Sequence, residues 1–174
     1  HHMAHLASAF LVSPFREAVA VSVDGFGDFS SAAWGVGRGT EIDIDGRIFF
    51  PHSLGVFYQA LTQFIGFPHY GDEYKVMGLS PYGKPAYLKE LRSIVWSGKK
   101  SIIDWDKRFF SLKNGAISYE NNQPVVPEIF SSYFEKLFGK KPLPWFSQTS
   151  LASELLSILS TKPSPLTSTH VVVS

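Results

Sequence analysis

The run Ala18-Val19-Ala20-Val21-Ser22-Val23 limits the possible folds of this chain more than any other stretch. It is apolar with a β-branched bias, so it suits a buried strand, and it leads into Asp24-Gly25-Phe26-Gly27-Asp28, which reads as a tight glycine turn. From Ser31 to Phe50 apolar and polar residues alternate around the turn residues Gly37-Arg38-Gly39 and Asp45-Gly46. That pattern predicts a meander of antiparallel strands.

Helices flank these strands. Residues 1–11 read as a short helix rich in Ala and Leu that stops at Ser13-Pro14, because the residue before a proline is pushed out of the helical region. Ser53 is placed to cap a helix over Leu54–Ile65, with Leu54, Phe57, Tyr58, Leu61 and Ile65 on one stripe and Gly66 closing it. HYGDEYKVMGLSPYGKP then reads as a long, polar, site-bearing loop. A helix over 86–96, a hairpin around Lys113-Asn114-Gly115, a helix near 127–138 and a short helix over 151–158 follow. The Ser/Thr/Pro segment after it ends on Val-Val-Val with nothing evident to pair against.

The 15 Phe, 7 Tyr and 4 Trp in 174 residues belong to a chain that buries surface, and the length allows one ordinary core. A formal net charge of +1 offers no field for nucleic acid, and no apolar run suits a membrane span. The chain has no cysteine, which excludes disulfides, zinc ribbons and thiol catalysis. A cytoplasmic setting is the expectation. Phosphate loops of the GxxxxGK[ST] type, GxGxxG, HExxH and GxSxG are all missing from the sequence.

Three constellations could carry chemistry. His1 and His5 are spaced i, i+4, so on a helix both rings reach one point and can supply two ligands of a Zn, Fe or Mn ion. The competing account is a purification-tag remnant for His1-His2 and an ordinary surface residue for His5. Asp24, at the end of a buried strand, can hold a metal or a metal-bound water, and Gly25 and Gly27 let backbone N–H groups approach phosphate oxygens; the bland account is turn geometry alone. In the later loop Lys75 is a compact cation suited to phosphate, Gly78 permits close approach, and Tyr70, Tyr74 and Tyr82 can wall a base. A packed loop with a Glu73–Lys75 surface pair is the plainer reading.

Taken in order, HHMAHLASAF, SPF, VSVDGFGD, FPHSLGVFYQALTQFIGF and GDEYKVMGLSPYGKP closely resemble the amino-terminal domain of the O-carbamoyltransferases of the nodulation and antibiotic-tailoring type. The likeness is strong over 1–90 and looser over 91–150. It implies an α/β fold: part of an actin-like ATPase (ribonuclease H-like) domain with a mixed sheet, antiparallel hairpins and flanking helices. Residues 1–150 would form this partial domain and 151–174 a divergent, poorly ordered tail. Such enzymes make carbamoyl-adenylate from carbamoyl phosphate and ATP, then pass the carbamoyl group to a hydroxyl of a sugar, antibiotic or similar small molecule.

Carried over by residue, the resemblance makes His1 and His5 metal ligands, for Fe²⁺ first and Zn²⁺ or Mn²⁺ as alternatives. Asp24 lines the same catalytic site, Gly25 and Gly27 sit against phosphate, and Lys75 with Gly78 borders the nucleotide. His2 points away, being about 100° around the helix from His1. Asp28 stands where relatives often carry Glu. An earlier His-Asp motif and a later aspartate ligand of the family are missing from these 174 residues. The expectation is a fragment that does not turn over without the rest of the enzyme; the alternative is an inactive nucleotide- or partner-binding module.

Overall fold

The computed structural model describes residues 1–96, 103–111, 118–120, 123–125, 127–160 and 171–173. The chain divides into two compact units, the first made of His1–Val56, Ser97–Asp104 and Lys162–Ser174, the second of Phe57–Trp96 and Trp105–Thr161.

In the first unit a helix, α1 (His2–Phe10), precedes three long strands, β1 (Glu17–Gly27), β2 (Ser30–Arg38) and β3 (Glu41–Phe49). β1 pairs antiparallel with β2, and β2 antiparallel with β3. The terminal strand Val171–Val173 lies parallel to β1 on its other edge, against Val19–Val21, which makes the sheet mixed. These valines therefore have a pairing partner, contrary to the expectation for the chain's last residues. Buried Leu6 and Phe10 of α1 pack on Ala18, Ala20 and Ala33 of the sheet, with Phe15, Ile42 and Ile44 around them. The alanines keep the sheet face low, which lets a helix approach closely enough for the Phe10 ring to lie on Gly37; a Cβ there would meet the ring at 2.5 Å.

The turns follow the glycine pattern only in part. β1 continues through Gly25 and Gly27, and the chain reverses at Asp28-Phe29, between the paired residues Gly27 and Ser30. Both turn residues have positive φ, 50° and 62°, the sign pattern of a type I′ hairpin turn, whose twist matches that of paired strands. The second reversal is at Gly39-Thr40, between Arg38 and Glu41, with φ of 60° at Gly39. Asp45-Gly46 is no turn but an irregularity inside β3, where the Trp34 ring occupies the space a side chain at Gly46 would need.

α2 (Leu54–Ile65) forms where its cap and apolar pattern predict it. The Ser53 hydroxyl accepts from the Val56 N–H at 3.0 Å and donates to the Gly25 carbonyl at 2.7 Å. Its buried set is broader than one stripe, since Ala60, Thr62, Gln63 and Phe64 are enclosed as well as Phe57, Leu61 and Ile65.

In the second unit the stretch expected as a loop is largely helical: α3 (Glu73–Leu79) is followed by a 3₁₀ turn at Ser80–Tyr82. α4 (Leu88–Ile94), α5 (Ser132–Phe138) and α6 (Trp145–Ser160) complete its helices. α6 starts six residues before the helix expected from position 151 and runs unbroken through position 150. Phe64 stands at the centre of an aromatic core, its ring centroid 5.2 Å from Phe134 and 5.4 Å from Phe130. Buried Gln63 ties in the approach to α5, donating to the Pro127 carbonyl and accepting from the Ile129 N–H. Ser118–Glu120 pairs antiparallel with Gln123–Val125; the hairpin expected at Lys113-Asn114-Gly115 lies outside the described residues. No helix among the described residues is long and apolar enough to cross a membrane.

Candidate metal centre

β1 leaves regular pairing just where its first carboxylate falls. Val23 is opposite Ala32 and Gly27 opposite Ser30, so Asp24, Gly25 and Phe26 face Ser31 alone. Such a bulge bends the strand and re-aims its side chains. Here it is held from behind by Ser53 and by Gly55, at which a Cβ would lie 2.6 Å from the Gly25 Cα. Gly55, overlooked in the sequence as one more helix residue, is what lets α2 lie this close.

The bulge delivers Asp24 to α1. One carboxylate oxygen, Oδ1, accepts the Gly25 N–H at 2.6 Å, while Oδ2 lies 2.5 Å from Nε2 of His1 and 3.5 Å from Nε2 of His5. One donor atom from each of His1, His5 and Asp24 falls within 4.8 Å of the others. The two imidazoles are stacked edge to face with centroids 4.6 Å apart, as an i, i+4 pair on a helix should be. Gly27 makes room for this cluster, because any side chain there would occupy the position of the His1 ring. Asp28 joins from the turn, its Oδ2 2.5 Å from the backbone nitrogen of His1.

The donor set fits a divalent metal. Metal–ligand bonds of about 2.1 Å in a tetrahedral site separate neighbouring ligand atoms by about 3.4 Å, near the His5–Asp24 distance. The shorter His1–Asp24 distance is that of a hydrogen bond, with imidazole N–H donating to carboxylate. A metal taking that place displaces the proton, and two imidazoles with one carboxylate suit Zn, Fe or Mn.

His2, between the two ligand candidates, is buried and serves the sheet face. Gly25 has open space beside its Cα, and so does Gly78. Lys75 and Gly78 lie on α3 in the second unit. The Lys75 Nζ sits 2.6 Å from Oδ1 of Asp72, whose other oxygen accepts the His69 N–H at 3.1 Å. The partner of Lys75 is thus Asp72, three residues back, and not the Glu73 singled out in the sequence. Burial pushes the Asp72 carboxyl up, but the hydrogen bonds from Lys75 and His69 and the lysine charge outweigh it and hold it below the usual value. Hydrogen bonding to Asp72 in turn raises Lys75. Tyr70, Tyr74 and Tyr82 are all exposed.

A sequence profile of the carbamoyltransferase N-terminus matches residues 1–143, a span that contains the whole His1–His5–Asp24 cluster. This chain belongs to the carbamoyltransferase family. It is 46% identical over 88 residues to the uncharacterized protein sll1178 of Synechocystis, covering 51% of this chain and 14% of that relative. To nodulation protein NolNO of Sinorhizobium fredii it is 42% identical over 91 residues, 52% of this chain and 13% of the relative. To nodulation protein NolO of Bradyrhizobium diazoefficiens it is 44% identical over 93 residues, 52% and 16% respectively. This carbamoyltransferase chain therefore matches about one seventh of the length of these curated relatives.

Proposed function

We propose that the chain is the metal-ligating part of an ATP-dependent O-carbamoyltransferase with the actin-like ATPase fold. The whole enzyme makes carbamoyl-adenylate from carbamoyl phosphate and ATP and transfers the carbamoyl group to a hydroxyl of a sugar, antibiotic or similar small molecule, releasing AMP. The observation that carries this reading is the convergence of His1, His5 and Asp24 inside the span matched by the family profile.

His1, His5 and Asp24 would hold the metal, with Fe²⁺ the first candidate and Zn²⁺ or Mn²⁺ the alternatives. When bound, it supplies a Lewis acid for phosphate and carbonyl oxygens. The protein's own contribution is orientation: Gly25 N–H fixes one oxygen of Asp24, so the other is turned to the histidines. The open face of Gly25 leaves room for a phosphate oxygen beside the cluster, its own N–H being given to Asp24, while Gly27 supports the His1 ring. Lys75 uses one of three ammonium donors on Asp72, leaving donors for nucleotide phosphate, with Gly78 unobstructed beside it.

The test is AMP release by the protein that contains this chain. Release that requires ATP, carbamoyl phosphate and a hydroxyl acceptor together is expected; AMP formation independent of carbamoyl phosphate would overturn the reading. Calorimetry with ATP, carbamoyl phosphate and Fe²⁺ on the 174-residue chain is the companion measurement, since tight ternary binding argues against a bare binding module.

A further inference from the structure

His2 stands between the two ligand candidates in sequence and faces the other way. With Leu6 and Phe10 it forms the buried stripe of α1, spaced i, i+4, i+8, and is only 2% exposed. Leu6 and Phe10 are apolar and pack on the small alanines beneath them through non-directional contacts. His2 is held directionally, because both its nitrogens are engaged: Nδ1 lies 2.9 Å from the Ser22 hydroxyl on β1, and Nε2 3.1 Å from the Ser30 carbonyl at the start of β2. A carbonyl only accepts, so Nε2 carries a proton, and in the neutral ring Nδ1 accepts from Ser22. Ser22 and Ser30 are themselves buried, which makes these bonds costly to leave unmade.

Those two bonds reach the strands on either side of the bulge that carries Asp24. Ser22 is two residues before Asp24, and Ser30 is opposite Gly27, where the His1 ring rests. A shift of α1 by one residue, about 1.5 Å along its axis, would break both bonds and carry His1 and His5 past Asp24.

We propose that His2 is a positioning residue that locks α1 in register with the β1–β2 hairpin and thereby sets the approach of His1 and His5 to Asp24. The inference rests on the reading of those three residues as metal ligands. Its chemistry is directional, two hydrogen bonds of fixed sense on one rigid ring, where Leu6 and Phe10 of the same buried stripe make apolar contacts only.

The experiment compares the 174-residue chain with His2→Leu, which keeps apolar bulk but neither bond, His2→Gln, which keeps a donor for Ser30, and Ser22→Ala, which removes one partner without touching α1. Binding of Zn²⁺ alone is measured by calorimetry, the d–d spectrum of Co²⁺ reports ligand geometry, and the nuclear Overhauser contact between the His1 ring and the Gly27 α-protons reports register. Folding is checked by circular dichroism. In folded His2→Leu, Zn²⁺ affinity is expected to fall about tenfold or more, as it does when a residue that orients ligands is lost. The Co²⁺ bands move and the His1–Gly27 contact disappears; His2→Gln restores most of each, and Ser22→Ala falls between.

A folded His2→Leu chain with unchanged affinity and contact overturns the proposal. Should that variant fail to fold, Ser22→Ala with wild-type affinity and contact overturns it equally. A wild-type chain that binds neither Zn²⁺ nor Co²⁺ defeats the metal reading, and the His1–Gly27 contact in the variants then decides the positioning role alone.

Discussion

Asp24 divides its oxygens between two tasks, one taking the Gly25 N–H and the other facing His1 and His5. Asn in its place keeps the first contact and turns an amide N–H₂, which cannot ligate, toward the imidazoles. In Asp24→Asn the fold is expected to persist and Zn²⁺ affinity, read by calorimetry, to fall by more than the roughly 10–100-fold lost when only a ligand's hydrogen-bond partner is removed. Gly27→Ala tests the same site by space instead of chemistry. The added methyl falls where the His1 ring now lies, and that ring, about a third exposed, swings aside. Thermal stability should change by less than about 1 kcal/mol while metal affinity drops, since the strain is relieved by moving a side chain at the surface. Unchanged affinity would show that His1 is not a ligand. The i, i+4 spacing paired His1 with His5, and the family resemblance brought Asp24 to the same site; the sequence read Gly27 as a phosphate contact because the imidazole above it comes from 26 residues away.

The first hairpin shows why element boundaries were harder to read. Two glycines in five residues signal a turn, yet Gly25 lies in the strand bulge and Gly27 in the last pair before the reversal, which uses Asp28 and Phe29. Phe29 adopts φ of 62° with its side chain 79% exposed, so its ring returns little burial for the unfavourable backbone. Phe29→Gly is expected to stabilise the first unit by about 1 kcal/mol, the cost of a left-handed conformation to a residue with a Cβ. Urea unfolding followed by hydrogen exchange in β1 and β2 would measure it, and a destabilised hairpin would mean the ring is held by contacts. α3 was missed for a related reason. Only Val76 of its seven residues is buried with the core, so there is no apolar stripe to read, and Gly, Pro and Tyr around it have loop composition. What identifies it afterwards is the Asp72–Lys75 pair, a spacing of three that a helical turn brings together.

Across the whole chain, legibility follows sequence separation. β1, β2 and β3 are hairpin neighbours and could be read from alternation, whereas the other edge of β1 is covered by Val171–Val173, about 150 residues on, with no local mark of its partner. The aromatic core around Phe64 likewise gathers residues from 57 to 138 whose separate motifs look unremarked in composition. Each unit thus rests on distant residues, and in the second unit a charged pair of local spacing adds a pH signature of its own. The Asp72 carboxyl is held below its ordinary value of 3.8 in the folded chain. Above that value it is ionised whether folded or not, and its contribution to stability is complete; as pH falls below 3.8 the unfolded chain takes up the proton first, and the contribution is lost as pH passes the folded value. Lys75, raised above its ordinary 10.5, gives the mirror image: its contribution is full below 10.5 and disappears as pH rises through the folded value. Stability from this pair is therefore flat across the neutral range and lost at both ends. Asp72→Asn should lower the plateau, leaving buried polar groups short of a charged partner, and flatten the acid limb relative to wild type. Urea unfolding of both proteins from pH 3 to pH 8 gives the difference curve; parallel acid limbs would show that the pair is no stronger in the folded chain than in the unfolded one.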